Sequence, residues 1–436
     1  MKKILTPKPI ILLCLAVCFI VTTNIHWGKN KWRNIIEADA KGYYAYLPGV
    51  FIYHDLNFTF YDSIEKKKYY DNFLVYDYRA TASNGQRIDK YYCGTAIAQL
   101  PFFLTAHELT QITGGDADGF SRYYLLAITL AALFYLFIGL WFINKLLALY
   151  TINDKVRSIS IIALLFGSNL FFYSVCEMGM SHVYSFAFVA MFCFHVKKYF
   201  LQYQSKDLFV SMALLGMIFL IRPVNVLIVL AIPFFAGSIS ELISGFYSVK
   251  KNAKAFTSGV IAMLLLVGIQ SLIYKISTGQ FWVYSYGEEG FNFTDPHFID
   301  ILFSYKKGLF LYTPVYLVSL AGMYFMYKKN KFQAAALFSF LVIITYVLSS
   351  WWSWWYGGSF SSRVYVEFIP LFAIALGFLL QSLQKAAKIS INVVLVLLIV
   401  LCQLQTYQYR YYIIHWENMT KEKYWDVFLK LDKKSM

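Results

Sequence analysis

The chain has 436 residues, 59% hydrophobic and 14% charged, with a net charge of +15 and a mean hydropathy of +0.52. An ordinary soluble domain, about a quarter charged, is excluded; so is a membrane β-barrel, because its repeated alternating segments are absent. The positive charge is one of topology and not a nucleic-acid footprint. Segments expected on the inner side hold 17 of the 39 Lys and Arg but just Asp154, Asp207 and Glu241 of the 24 acids, as the positive-inside rule requires.

Apolar runs near the roughly 20 residues that cross a bilayer point to an all-α polytopic membrane protein with about 11 transmembrane helices, in a single domain over 1–406. The first run, 9–27, follows Met1-Lys2-Lys3 as in a signal peptide. It lacks a small-x-small cleavage site and is long enough to stay as an anchor, so a retained, outward-running helix is expected. Residues 28–120 form a large first outer loop carrying two interfacial helices, 43–53 and 94–112. A full span at 94–112 would invert every later loop and put the Lys clusters outside. Spans are then expected at 121–147, 157–175 and 181–199.

Residues 207–246 read either as one long segment or as two short spans broken at Arg222-Pro223, where proline removes a donor and disfavours helix before it. Two spans keep Lys250, Lys251 and Lys254 inside. Further spans are expected at 256–276, 309–327, 332–349, 366–384 and 389–406, leaving outer loops at 277–308 and 350–365. The tail, 407–436, is expected outside and interfacial, with Tyr424-Trp425 and Phe428-Leu429 on its apolar side. The long connections are all outer, so the working face is expected there. Of six cysteines, Cys14, Cys18, Cys193 and Cys402 lie in apolar runs, and spacing by itself cannot pair Cys93 with Cys176.

Four groups of residues can carry chemistry. Glu37 and Asp39 sit just outside the first span; a carboxylate at the membrane surface suits proton abstraction from a hydroxyl, while a solvated acid beside Arg33 and Lys41 is the plain alternative. Residues two apart on a helix face different ways, so there only one of the two can aim at a site, whereas in extended chain both converge; Asp39 is favoured over Glu37. Lys41, Tyr43 and Tyr44 come next, on the substrate side. Arg222 lies within a long apolar stretch, where an arginine marks function and its fork suits a phosphate; a snorkelling helix end is the other reading. In the segment 350–363, Trp355 and Tyr356 can stack on a substrate, Gly357 and Gly358 allow close backbone approach, and Arg363 offers a second clamp. Interfacial aromatic belts account for tryptophans without such a role. Glu177 and His182 flank a short outer turn and can orient substrate or bind a metal, but no His-Glu-x-x-His pattern or zinc-spaced cysteine pair accompanies them. Gly287-Glu288-Glu289-Gly290 and Lys306-Lys307-Gly308 can close over a site or remain solvated loop charge.

An outward helix, a large first outer loop with the early acids Glu37-Ala38-Asp39, the Arg222-Pro223 break and the Trp352-to-Arg363 segment together resemble the GT-C superfamily of membrane glycosyltransferases. The likeness is to bacterial members related to the protein mannosyltransferase and lipid A aminoarabinose transferase groups. It implies a GT-C-like fold in a bacterial inner membrane and an inverting sugar transfer on the periplasmic side. The donor would be a polyprenyl-phosphate-linked sugar and the acceptor a lipid, glycan or protein. Asp39 matches the family's base, with Glu37 second because Ala38 separates acids that many members place side by side; Arg222 and Arg363 would hold the donor phosphate. The resemblance leaves a divalent metal open. Two rivals remain: a lipid-linked-sugar flippase or transporter, which tends to show mirrored halves with paired breaks, and a polysaccharide polymerase or ligase.

Overall fold

The computed structural model describes residues 6–69 and 76–432. Among the described residues the regular elements are helical apart from one antiparallel hairpin, Arg79–Thr81 with Arg87–Asp89, in which Arg79 pairs with Asp89, and an isolated bridge joins Phe291 to Trp351. Among the described residues six helices are long and apolar enough to cross a membrane: Pro7–His26, Arg122–Leu149, Ala253–Thr278, Lys331–Ser349, Arg363–Ser382 and Lys385–Arg410. Each lies where a span was expected. The other five expected spans are filled by helices that are shorter, interrupted or less apolar.

The interruptions have local causes. The expected span 157–175 is two helices, Asp154–Phe166 and Leu170–Val175, parted at Gly167-Ser168-Asn169. The break releases Asn169, which donates to Ser362 O at 3.2 Å and accepts from the Tyr316 hydroxyl at 3.0 Å. That contact fixes the chain one residue before Arg363. The expected span 309–327 breaks at Thr313-Pro314 into Leu309–Tyr312 and Val315–Lys329.

The break at Arg222-Pro223 is present: Ser205–Ile221 ends there, and a 3-10 stretch, Pro223–Ala231, leads into the short helix Ile232–Ala236. Beyond that helix the chain does not continue as a span to 246. Gly237, at φ 85°, ends the helix, and Ser238 caps the next by accepting from the Glu241 amide at 3.1 Å. The new helix, Ile239–Lys251, turns 117° away. It buries Gly245 and exposes Ile239, Ile243, Phe246 and Tyr247, the form of a helix lying along an interface.

Burial sorts the spans. Arg363–Ser382 is 94% buried over its apolar window, whereas Ala253–Thr278 and Lys385–Arg410 are 11% buried. The first is therefore the axis of the bundle, and the other two face lipid. Helix Pro7–His26 packs on Arg122–Leu149 as a full member of the bundle.

The two helices expected to be interfacial in the first loop behave differently. Helix Asp39–Phe51 is buried continuously from Ala40 to Gly49, so it is packed beneath the loop and does not lie on the membrane surface. Helix Gly94–Ile112 exposes Leu104, Leu109 and Ile112, as an interfacial helix would, but its first residue is pressed against the Leu220–Ile221 backbone: a Cβ on Gly94 would collide with the Leu220 carbonyl. That approach sets Lys90-Tyr91-Tyr92 beside Arg222. The tail is likewise built into the fold. Gln405 donates to the Tyr424 hydroxyl at 2.7 Å, and Gln408 donates to Val427 O at 2.5 Å. All six cysteines are free and buried, so Cys93 and Cys176 form no bridge.

Candidate active site

Ala38 holds φ 48° and ψ −128°, a left-handed conformation that costs a non-glycine residue about 1–3 kcal/mol. The turn it makes starts helix Asp39–Phe51 and separates the two acids. Asp39 Oδ2 accepts from Arg363 Nη2 at 2.8 Å, and Oδ1 accepts from the Tyr91 hydroxyl at 2.7 Å. Burial pushes this carboxyl up, but the Arg363 guanidinium and the Tyr91 phenol overcome it and hold Asp39 below the usual carboxylate range. Glu37 lies among Arg410 and Lys41, away from the cavity; there burial wins and its carboxyl is raised.

Arg222 is held in extended backbone (φ −152°, ψ 107°) between Ser205–Ile221 and Pro223. Its Nε lies 3.5 Å from Glu367 Oε1 and its Nη1 3.5 Å from Ser181 Oγ. Glu367 is fully buried on the first turn of the central span and also meets His182 Nδ1 at 3.0 Å. His182 thus supports Glu367 from behind and does not line the cavity, contrary to its expected contact with substrate.

Asp39, Arg222 and Arg363 line one cavity of about 410 Å³, although they come from residues 39, 222 and 363 of the chain. Tyr43, Trp355, Tyr356 and Gly357 line it too. Other expected residues are elsewhere. Gly358 packs beneath Trp416. Tyr44 is bonded to Gly119 O between Phe103 and Phe120, and Lys41 is buried near Glu65 and Glu37. The 350–363 segment carries two non-glycine residues with left-handed backbone, Tyr356 (φ 56°) and Ser361 (φ 58°), so with Ala38 three strained positions flank the site.

Glu177 sits beside Arg363 but is not part of the cavity wall. Burial raises its carboxyl to about 7 against the pull of Arg363, with Glu37 and Asp39 adding to the rise. The folded chain therefore binds a proton there that the unfolded chain, near 4.5, has already released. Stability should fall as pH rises through the window between those values. Melting in detergent at about pH 5 and about pH 8 should show the drop, and Glu177→Gln should flatten it.

Glu289, Lys307 and Trp352 lie in segments the sequence marked, the first two in loops able to close over a site, whereas Tyr286 and Glu417 carried no motif. Trp352 N donates to Gly290 O at 2.9 Å, which draws Tyr286 and Glu289 over the cavity, and Lys90 Nζ pairs with Glu289 Oε1 at 2.5 Å. The tail contributes Glu417, which accepts from Trp355 Nε1 at 3.2 Å. Lys307 staples these parts together, donating to Ser359 O at 2.5 Å and Trp416 O at 2.6 Å. Burial drives its amine down to about 7. Glu367 did carry a signal, since a carboxylate within an apolar run is as unusual as Arg222.

A divalent ion needs several convergent oxygen or nitrogen donors. Among the described residues no three His, Cys, Asp or Glu side chains come together to hold one, and both Asp39 oxygens are taken by Arg363 and Tyr91. The residues present do not fit a resident metal.

No family model matches the chain, and no curated protein matches it. Among solved structures it is similar to the archaeal oligosaccharyltransferase AglB from Archaeoglobus fulgidus, in complex with an inhibitory peptide and a dolichol-phosphate. The TM-score is 0.48 and the identity 9%, over 99% of this chain and 60% of that one. It is also similar to the Archaeoglobus fulgidus oligosaccharyltransferase in the apo form (TM-score 0.45, 11% identity, 98% and 60% covered). A third similar structure is the complex of that protein with Zn and sulfate (TM-score 0.46, 10% identity, 98% and 58% covered). The chain spans about 60% of the length of the proteins it is similar to in structure.

Proposed function

We propose that this chain is a GT-C-type integral-membrane glycosyltransferase that moves a sugar from a polyprenyl-phosphate donor to an acceptor hydroxyl, inverting the anomeric carbon. The observation that carries this reading is the convergence of one carboxylate and two guanidinium groups, from three distant parts of the chain, on one cavity. Its volume of about 410 Å³ lies in the range of small-ligand pockets, about 300–1,000 Å³, and suits a monosaccharide phosphate better than a long glycan.

In this reading Asp39 takes the acceptor's proton while the acceptor oxygen bonds to the anomeric carbon. The bond from that carbon to the phosphate oxygen breaks, and its electron pair leaves with the phosphate. Arg222 faces the departing charge with donors that Glu367 and Ser181 occupy only at 3.5 Å. Arg363 has Nη2 on Asp39 and lines the cavity, so the rest of its fork can serve the phosphate. Trp355 and Tyr356 would stack on the sugar, and Gly357 would let the backbone close in. The excess of Lys and Arg on the expected inner turns supports a periplasmic site in a bacterial inner membrane, with lipid, glycan or protein as acceptor.

Native mass spectrometry of the gently purified protein is the first test. Wild type should retain a polyprenyl phosphate or its glycosylated form, and Arg222→Met with Arg363→Met should lose it. Retention by that double variant, or a bound lipid without phosphate, would reject the reading.

A further inference from the structure

A base that works repeatedly must return its proton after each turnover, and besides its own face on the cavity Asp39 has a hydrogen-bonded route through two phenols. Tyr91, 5% exposed, donates to Asp39 Oδ1 at 2.7 Å, and its hydroxyl lies 2.6 Å from that of Tyr76. The order of donors follows from chemistry. Ionised Asp39 accepts only, so the single Tyr91 proton points to it, and the bond between the phenols must run from Tyr76 to Tyr91. Tyr76 lines the cavity and is half-buried, which leaves its oxygen able to meet water there. The Tyr43 ring, 4.7 Å from that of Tyr91, pins the middle of the chain.

We propose that Tyr91 and Tyr76 form the proton exit of Asp39. The inference rests on the reading of Asp39 as base. When the acceptor's proton reaches Oδ1, the chain reverses: Oδ1–H passes its proton to the Tyr91 oxygen, Tyr91 passes its own to Tyr76, and Tyr76 releases one to cavity water. One proton enters, one leaves, and neither phenol ends a turnover charged. The other charged and titratable groups near Asp39 are Arg363, Lys90, Glu177, Tyr43, Tyr173 and Tyr286. Arg363 is bonded to the opposite oxygen and, being effectively always protonated, cannot take the proton. Tyr91 and Tyr76 are positioning residues, since they act through Asp39.

The test uses full-length protein in liposomes and the synthetic short-chain polyprenyl-phosphate hexose or pentose on which wild type is fastest. Tyr76→Phe, which keeps the Tyr91–Asp39 bond, should lower kcat about tenfold, a modest part of what proton transfer contributes. Its donor KM and the acid limb of its pH–rate profile should stay at wild type. Tyr91→Phe should lower kcat at least as much and move the acid limb to higher pH, because Asp39 loses a donor to its charged form. Proton inventories in H2O/D2O mixtures should be bowed for wild type, with several protons in flight, and linear for both variants. Tyr76→Phe with wild-type kcat, or slowed solely through a raised donor KM, overturns the relay. It decides the matter even if Tyr91→Phe fails to fold. Should Asp39→Asn remain active, the base reading falls first; should Asp39→Asn be dead while Tyr76→Phe runs at wild-type rate, the relay alone falls.

Discussion

Asp39→Asn is expected to lower sugar transfer by about 10²–10⁴-fold, the range that general-base catalysis contributes, with donor binding retained. The size follows from geometry: Asp39 is the carboxylate on the cavity wall that is bonded both to Arg363 and to a phenol. Asparagine keeps the shape and one acceptor oxygen but cannot take a proton. It also leaves the Arg363 guanidinium, whose side chain is 10% exposed, without its counter-charge, so a loss of a few kcal/mol in stability accompanies the substitution. Rates must therefore be normalised to folded protein. Glu37→Gln is the internal control. Glu37 does not line the cavity, and near-wild-type transfer is expected from it. A dead Glu37→Gln beside an active Asp39→Asn would reverse the assignment.

Arg222→Met should be the second large effect, and it should be twofold in kind. Glu367 is fully buried against Arg222 and His182. Removing one member of a buried pair strands the other charge at a cost of about 3–5 kcal/mol. The same change removes from the cavity the guanidinium proposed to hold the phosphate, so donor KM should rise at least tenfold, about 1.4 kcal/mol of binding. The two consequences can be separated. Arg222→Met combined with Glu367→Leu removes both charges and should recover most of the melting temperature, since apolar replacement of a buried pair is often neutral or stabilising. Donor affinity should stay lost. If affinity returns with stability, Arg222 is a structural partner of Glu367 and does not hold phosphate.

Much of the architecture was legible because hydrophobic runs and proline act locally. Pro7–His26, Gly94–Ile112, Arg122–Leu149 and the Arg222-Pro223 break lie where the residue pattern puts them. Residues 239–251 misled because an interfacial helix and the end of a span share one composition; Gly237 and Ser238 were the signs of a turn and a cap. Helix Asp39–Phe51 misled for a related reason, since an aromatic stretch buried under a loop has the composition of one lying on lipid. Within the site, Asp39, Arg222, Arg363, Trp355, Tyr356 and Gly357 were legible as rare residue types in unusual surroundings. Tyr91 and Tyr76 were not, because one tyrosine among 36 carries no local mark; the hydrogen-bond chain that distinguishes them exists in three dimensions. Glu417 was hidden likewise, in a tail that reads as a surface helix.

If the proposed function holds, a glycosidic bond is made in the cavity shared by Asp39, Arg222 and Arg363. The most direct test tracks a sugar-labelled polyprenyl-phosphate donor placed in sealed liposomes that contain the protein and a membrane extract as acceptor source. The label is expected to leave the lipid and appear in a new glycoside of opposite anomeric configuration, with wild type and not with Asp39→Asn. Label that crosses the bilayer still attached to its lipid, at equal rates for both proteins and with no new glycoside, would contradict the proposed function.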